Sequence, residues 1–380
     1  MTVTDPTDRN RRWAATMAGH DSSVVRRAHA DSTARIDLPR PLDREEREAI
    51  EETLLAPGAT RSRGAGNRAV AEEPDPSRTC FERDRDRILH SAAFRRLAGK
   101  TQVFVFPHDH QRTRMTHALE VAQVAVSVAR SLRLNVALTE AIALAHDCGH
   151  GPGGHASEEA LDPFVAEGYD HAVWGADVVL PPLNLCLETL DGVRNHSWSR
   201  PAPTTPEGEV VSWADRVAYV CHDFEDAVSA GLVQPSDLPA VVRLRCGESR
   251  RLQLAAFIGG MVEATRQTGT IGMVEELAEA LAAFRRFNYD HIYMRPESIQ
   301  QAERVVRLLR ALTVFYGDNP FRLPPSRRRN VDPGSAEALR EAVTYVGGMT
   351  DDYACGQAIR LLDYPEADLP VGIEISPSGR

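Results

Sequence analysis

The chain has 380 residues, of which 42% are hydrophobic and 26% charged, with a net charge of -10 at pH 7. Its length and apolar content exclude wholesale disorder and allow one large domain or two fused lobes. It contains no run of about 18 consecutive apolar residues, and its first residues lack the apolar core of a signal peptide, so we expect no membrane span, no secretion and a cytoplasmic location.

The negative charge disfavours general binding to nucleic acid, because a phosphate backbone is bound through an excess of Lys and Arg. Basic residues are in slight excess only within residues 1–114, so we do not expect nucleic acid as a substrate, although regulatory binding stays open. Lys100 is the only lysine, and the general preference for arginine therefore does not mark phosphate sites. The six cysteines form no CxxC pair, which argues against a disulfide framework and a thiolate zinc site.

The first third of the chain contains few regular elements. Residues 1–40 are polar and lack a period, which indicates a flexible arm or a lightly packed helix. A helix is predicted over 43–55, and the Gly-, Pro- and Ser-rich segment that follows predicts a long surface loop. From Asp84 onward, apolar residues at helical spacing among arginines indicate an amphipathic helix.

Helical periodicity dominates the rest of the chain, which predicts an all-α fold. Apolar residues recur every three or four positions in 116–132, 135–147 is apolar on nearly all sides, and 212–228 has one apolar face. The best strand candidates, TQVFVF and GEVV, support a small hairpin at most. Further helices are predicted at 236–265, 273–287, 296–314 and 335–346.

The sequence divides into three expected regions. They are an N-terminal arm or helix (1–53), a catalytic core (54–230), and a C-terminal helical region (231–380) that completes the pocket and the oligomer contacts.

Three of the predicted helices carry residues that suit a shared metal ion. His117 lies at the start of one helix, His146 and Asp147 end the central apolar helix, and Asp215 lies early in the third. A single histidine beside an apolar stripe is more often a core residue. An aspartate at the end of an apolar helix is harder to explain without a cation, because burying an unpaired carboxylate is costly. Imidazole with carboxylate suits Mn, Fe, Co, Zn or Mg without choosing among them.

This pattern of H, HD and D resembles the metal-binding signature of the HD phosphohydrolase superfamily. The segments RTCFERDRDRILHSAAFRRLAGKTQVF, RTRMTHALEVAQVA, HDCGHGPGGHASEEAL and NHSWSRPAPTTPEGEVVSWADRVAYVCHDFEDA together resemble the deoxyguanosinetriphosphate triphosphohydrolase-like proteins. The similarity covers residues 54–230, and continues more loosely from NYDHIYMRPES onward. It implies an HD-type helical bundle with additional C-terminal helices, and a divalent metal held by His117, His146, Asp147 and Asp215. Mn²⁺ or Mg²⁺ is expected, with Fe, Co, Zn or Ni as alternatives.

The next candidates lie just after the HD pair. His155 and Glu158 are three residues apart, so a helix that begins near Gly154 places both on one face, where Glu158 could orient the imidazole for proton transfer. Helix capping by Glu158 is the alternative. The resemblance implies a catalytic role for this pair. Gly151 and Gly153 depart from the family pattern, which has proline and phenylalanine there, and this departure predicts a less rigid loop.

Substrate contacts are expected on both sides of these residues. Arg114 lies one turn before His117, and its planar guanidinium suits phosphate oxygens, although a solvated or ion-paired arginine fits the spacing equally well. The resemblance implies that Arg114 contacts the α-phosphate as a catalytic residue. It also implies that His171 faces the phosphates and that Gln102 contacts the deoxyribose.

The sugar end of the pocket is expected on the helix of Asp215. Tyr219 and Asp223 follow that residue by four and eight positions and share its face. The resemblance implies that Tyr219 packs under the ribose and that Asp223 accepts a hydrogen bond from the 3′-hydroxyl. His222 and Asp226 are interpreted as helix-surface groups or as partners of the ligands, and Tyr289, Asp290 and Tyr293 are expected to close the far side.

The sequence therefore favours hydrolysis of a deoxynucleoside triphosphate, dGTP or a broader set, to deoxynucleoside and tripolyphosphate. One alternative is an HD-type phosphodiesterase or nucleotidase with another nucleotide substrate. The other is a catalytically weak nucleotide-sensing protein, for which the glycine-rich loop is the main argument. The resemblance further implies a symmetric homo-oligomer whose interfaces can complete an allosteric nucleotide site.

Overall fold

The computed structural model describes residues 6–21, 24–37, 40–104, 111–328 and 330–372. The chain forms two compact units, Met1–Leu42 and Asp43–Arg380. The expected boundaries after residues 53 and 230 stay predictions.

The first unit is small. It contains helix α1 (Pro6–Thr16) and a two-stranded antiparallel hairpin of β1 (His20–Asp21) and β2 (Arg26–Arg27), in which His20 pairs with Arg27. This hairpin is the only named sheet among the described residues.

The second unit is built from helices. They are α2 (Arg44–Leu54), α3 (Cys80–His90), α4 (Ala92–Arg96), α5 (Arg114–Leu132), α6 (Val136–Ala145), α7 (Ala156–Leu161), α8 (His171–Trp174), α9 (Leu187–Arg194), α10 (Pro206–Ser229), α11 (Ala240–Cys246), α12 (Arg250–Thr268), α13 (Glu275–Asn288), α14 (Pro296–Asp318), α15 (Ala336–Gly347) and α16 (Asp351–Leu362). The predicted all-α class with at most a small hairpin is confirmed.

The central helices α5, α6 and α10 begin at residues that cap them. The side chains of Thr113, Asn135 and Thr205 each accept a hydrogen bond from a backbone N–H of the first turn. The three helices pack on one another through buried Ala and Val residues, which allow close approach. Helix ends and faces from three parts of the chain therefore meet in the core.

A second apolar core forms around α7, α14, α15 and α16, with Tyr169 and Trp174 buried in it. Residues 149–154 run between α6 and α7, where they contact both the central helices and the C-terminal ones.

Two local predictions were wrong. The GEVV segment lies inside α10 and is helical, because Thr205 caps that helix and Pro206 occupies its first turn, so the helix context overrides the strand preference of valine. The helix expected over 236–265 is two helices, since α11 ends at Gly247, whose φ of +81° breaks the helical path.

TQVFVF forms no strand within its described residues. Thr101 makes one isolated bridge to Thr113, and residues 105 and 106 lie outside the described part of the chain. All six cysteines are free and most are buried, as expected. In the part of the chain that the structure describes, none of the helices combines the length and the apolar character needed to cross a membrane.

Candidate active site

The four predicted metal ligands come together at the contact of α5, α6 and α10. His117 Nε2 is 3.0 Å from Asp215 Oδ1 and 3.9 Å from Asp147 Oδ2. His146 Nε2 is 3.6 Å from an oxygen of Asp147 and 3.6 Å from Asp215 Oδ1. These distances place His117, His146 and Asp215 within mutual reach of one cation, with Asp147 beside His117 and His146.

The protonation of His146 fits a cation at this point. Its Nδ1 lies 2.7 Å from the carbonyl oxygen of Ala143 and therefore carries the proton, which leaves a lone pair on Nε2. That Nε2 is buried, has no hydrogen-bond partner, and faces the carboxylates of Asp147 and Asp215. A lone pair turned towards two carboxylates is unfavourable unless a cation lies between them, so the donor set fits a divalent metal.

The electrostatics keep both carboxylates ionised. Burial by itself would raise the pKa of Asp215, but the hydrogen bond with His117 and the nearby His146 hold that pKa below its ordinary value. Burial likewise opposes the charge of Asp147, and the Arg114 guanidinium outweighs it and lowers the pKa. The site therefore presents two carboxylates at neutral pH.

Arg114 connects this cluster to the cavity. Its Nη1 donates to Asp147 Oδ2 at 2.7 Å, while its buried Nε and Nη2 have no hydrogen-bond partner. An arginine with unused donors beside a metal-type cluster can bind an anionic oxygen there.

Glu158 is shared by three histidines. Its Oε1 accepts from His171 Nδ1 at 2.5 Å and lies 3.6 Å from His155 Nδ1 and 3.7 Å from His150 Nδ1. His155 is largely exposed, and His150 and His171 stack with ring centroids 3.8 Å apart. The closest partner of Glu158 is thus His171, which joins the expected pair of His155 and Glu158.

His171 also faces His196, with their Nε2 atoms 3.2 Å apart. The Nδ1 of His196 lies 2.7 Å from the Val193 carbonyl oxygen, which leaves its Nε2 as an acceptor. Burial opposes protonation of His171, but the hydrogen bond to Glu158 outweighs burial and raises its pKa, whereas burial lowers the pKa of His196 to about 4. A cationic His171 can therefore donate to both neighbours.

The two glycines that depart from the family pattern are closely packed. A Cβ on Gly151 would lie 2.7 Å from Ser157 Cβ. Gly153 has a φ of +72°, and a Cβ there would lie 2.4 Å from Val305 Cγ1. This backbone has no room for larger side chains at either position, so the loop is compact where the sequence predicted less rigidity.

The sugar-end candidates lie on the adjoining wall. Asp223 accepts from the Tyr293 hydroxyl at 2.6 Å, and its second oxygen is buried without a partner. The Tyr219 hydroxyl accepts from Arg285 Nε at 2.8 Å. Gln102 Oε1 is also buried without a partner. These side chains retain unused polar atoms for a ligand.

One cavity of about 470 Å³ connects these groups. Of the predicted site residues, nine line it: Gln102, Arg114, His117, Asp147, His155, His171, Asp215, Tyr219 and Asp223. His146 and Glu158 lie behind that lining and contact it. Tyr289 and Tyr293 also line the cavity, whereas Asp290 is not among the lining residues.

Sequence reasoning missed five histidine, tryptophan and arginine residues in this lining. They are His150, His196, Trp198, Arg216 and Arg285. His150 follows His146 by four positions, a spacing that could have identified it within HDCGH. Arg285 comes from α13, and no local sequence signal distinguishes it from other arginines on that amphipathic helix.

Of the two interpretations of His222 and Asp226, the helix-surface one is wrong, because both residues are buried, and a role as partners of the ligands stays a prediction. His222 Nδ1 is 3.2 Å from Glu120, and Asp226 forms an ion pair with Arg112. They hold α10 against the start of α5, which carries Arg114 and His117.

The helical core and this cluster are those of the HD domain family. The HD domain family matches residues 114–220, and the phosphohydrolase-associated domain family matches residues 271–360, which include Arg285, Tyr289 and Tyr293. The chain belongs to the deoxyguanosinetriphosphate triphosphohydrolase-like family, which confirms the resemblance.

Curated relatives of that name are similar over most of their length. The protein from Caldanaerobacter subterraneus subsp. tengcongensis is 40% identical over 86% of this chain and 96% of its own. A relative from Clostridium perfringens is 36% identical over 83% of this chain and 96% of its own. One from Ralstonia pickettii is 34% identical over 86% of this chain and 98% of its own.

Proposed function

We propose that this chain hydrolyses a deoxynucleoside triphosphate, dGTP or a broader set, to deoxynucleoside and tripolyphosphate. The observation that carries the proposal is the single cavity, which joins the His and Asp cluster at one end to Tyr219, Asp223 and Tyr293 at the other. The names of the relatives support the same substrate class.

The phosphate end supplies positive charge and proton donors. Arg114 has two unused nitrogen donors, and His150, His155 and His171 gather around Glu158. In the proposed reaction, water attacks the α-phosphorus, a new P–O bond forms, and the bond from phosphorus to the 5′-oxygen breaks. The Glu158 histidines hold the phosphates and give the departing 5′-oxygen its proton.

The sugar end sets which nucleotide fits. Asp223 has an oxygen free to accept from a 3′-hydroxyl, and the Tyr219 ring provides an apolar face beside it. Gln102 lies at the 2′ side in this proposal, where a ribose hydroxyl would clash. Arg216 and Arg285 add further positive charge to the cavity wall.

His117, His146, Asp147 and Asp215 would hold the divalent cation. When bound, that cation would neutralise charge that develops on the phosphate oxygens. Two nitrogen and two oxygen donors fit Mn²⁺, with Mg²⁺, Fe, Co, Zn or Ni as alternatives. Arg114 keeps Asp147 oriented in the same cluster through its 2.7 Å hydrogen bond.

The test is turnover by the purified chain with each of the four deoxynucleoside triphosphates in Mn²⁺ and in Mg²⁺, with products separated by anion exchange. Release of tripolyphosphate with an equal amount of deoxynucleoside supports the proposal. Release of pyrophosphate or orthophosphate alone, or turnover only of cyclic or monophosphate nucleotides, would overturn it in favour of another HD-type activity. Saturable nucleotide binding without turnover would favour the sensing alternative.

A further inference from the structure

The only lysine of the chain is buried behind the candidate active site. Lys100 is 2% exposed, and its Nζ donates to the carbonyl oxygens of His150 and of Gly347, the latter at 3.0 Å. His150 lies in the middle of the HDCGHGPGGH segment, and Gly347 is the last residue of α15. One amino group thus joins the loop to the C-terminal helices.

Asp351 makes a second connection at the same place. It lies at the first position of α16, and its Oδ1 accepts from the backbone N–H of Gly153 at 2.8 Å. Its Oδ2 accepts from the backbone N–H and the hydroxyl of Thr101, at 2.9 Å and 2.6 Å. The helix N-terminus favours the ionised form of Asp351, whereas burial raises its pKa, so the three hydrogen bonds are what hold the side chain in place.

These contacts are made to the segment 149–154, which is mostly glycine and has few side chains that could restrict its backbone. Gly149 O accepts from Tyr169 Oη at 2.8 Å, and Gly151 N donates to Ser157 Oγ at 2.9 Å. With Lys100 on His150 and Asp351 on Gly153, polar backbone groups at four of the five positions from 149 to 153 are held by side chains from outside the loop. The loop ends at His155, so its path sets where His150 and His155 stand relative to Glu158.

We propose that Lys100 and Asp351 are positioning residues. They fix the loop 149–154 to the junction of α15 and α16, and the loop in turn sets the positions of His150 and His155. Only the kinetic part of the test below rests on the function proposed above. Neither Lys100 nor Asp351 lines the cavity itself, so both act on it through the residues that they hydrogen-bond.

The test compares Asp351→Asn and Lys100→Met with the wild-type chain. Asn at position 351 retains one acceptor oxygen, so the N–H of Gly153 and the pair from Thr101 can no longer both be satisfied. We expect kcat to fall by roughly tenfold to a hundredfold, the range for residues that orient catalytic groups, with a much smaller change in KM and an unchanged metal content per chain.

Gln357→Leu is the matched control. Gln357 is equally buried on the same helix, but its oxygen accepts from Tyr316 and Arg360, away from the loop. It should lower thermal stability without changing kcat. If Lys100→Met does not fold, Asp351→Asn carries the comparison.

Amide hydrogen exchange over residues 148–157, followed by mass spectrometry, reads the loop without any turnover. Faster exchange there in the folded Asp351→Asn and Lys100→Met variants, with the wild-type rate in Gln357→Leu, supports the proposal. Wild-type exchange in both loop variants, or the same acceleration in the control, overturns it. If the wild-type chain releases no tripolyphosphate, the proposed function is wrong, and the hydrogen-exchange comparison still decides whether Lys100 and Asp351 hold the loop.

Discussion

His117 Nε2 lies 3.0 Å from Asp215 Oδ1, although the two residues are 98 positions apart in the sequence. The distance exists because α5 and α10 pack closely along small buried residues. His146 and Asp147 reach the same point from the end of α6.

Replacement of a residue in this cluster should remove the metal. Asp215→Asn retains the size of the side chain but loses its charge, so we expect at least a hundredfold loss of metal affinity and of turnover, on the order of what a lost charged ligand costs. Metal content by atomic emission and turnover with added Mn²⁺ measure both. Glu263→Gln, on the exposed face of α12, should match the wild type. Full metal retention in Asp215→Asn would contradict the assignment.

Glu158→Gln tests the histidine group separately from the metal. The neutral amide cannot stabilise the positive charge of His171, so the pKa of that imidazole should fall. The imidazole should also be held less firmly in its orientation. We expect kcat to fall by about a hundredfold or more, as for removal of a general acid or its partner, while the metal content stays at the wild-type value. A variant with wild-type kcat would contradict a catalytic role for Glu158.

Gln102 and Asp223 should separate sugar selectivity from overall activity. Gln102→Ala should raise kcat/KM for GTP relative to dGTP, because the space beside the 2′ carbon opens. Asp223→Asn should instead lower kcat/KM for dGTP, by about tenfold, since the amide keeps one acceptor oxygen and cannot accept both from Tyr293 and from a 3′-hydroxyl. Equal losses for GTP and dGTP in Gln102→Ala would be inconsistent with its placement at the 2′ side.

Alanine substitutions at two glycines, one in the glycine-rich loop and one outside it, should change the free energy of unfolding in opposite directions. Gly153→Ala must place a Cβ 2.4 Å from Val305 Cγ1 at a positive φ, so it should lower the free energy of unfolding by more than about 1 kcal/mol. Gly259→Ala, at an exposed position of α12 with no atom within 4 Å of the new Cβ, should raise it by up to about 1 kcal/mol. Thermal and urea unfolding measure both changes, and equal shifts would contradict the described loop packing.

Lys100 makes stability depend on pH in a defined direction. Burial lowers its pKa to about 7, below the ordinary lysine value that applies in the unfolded chain. Between those two pKa values the unfolded state binds one more proton, so this residue makes the folded state more stable as the pH rises from 7. The difference in unfolding free energy between the wild type and Lys100→Met should therefore grow with pH, by at most about 1.4 kcal/mol per unit. If the difference in unfolding free energy instead shrinks between pH 7 and pH 9, the lowered pKa of Lys100 is ruled out.

Local patterns were sufficient for much of the architecture. The apolar stripes that start after Thr113 and Asn135 correspond to α5 and α6, because helix burial requires such spacing and caps fix the starts. Patterns failed where local preference and context disagree: the valines of GEVV favour a strand in isolation, yet they lie in a capped helix whose buried face needs them.

The sequence by itself determined the helical class, the family and the residues expected to bind the metal, since periodicity and short motifs depend on residues close together in the chain. Only the tertiary structure decided that His171 is the nearest partner of Glu158, that His150, His196 and Arg285 reach the cavity, and that Lys100 and Asp351 hold the loop. Such contacts join residues far apart in sequence, and they depend on how whole helices pack, which no local spacing specifies.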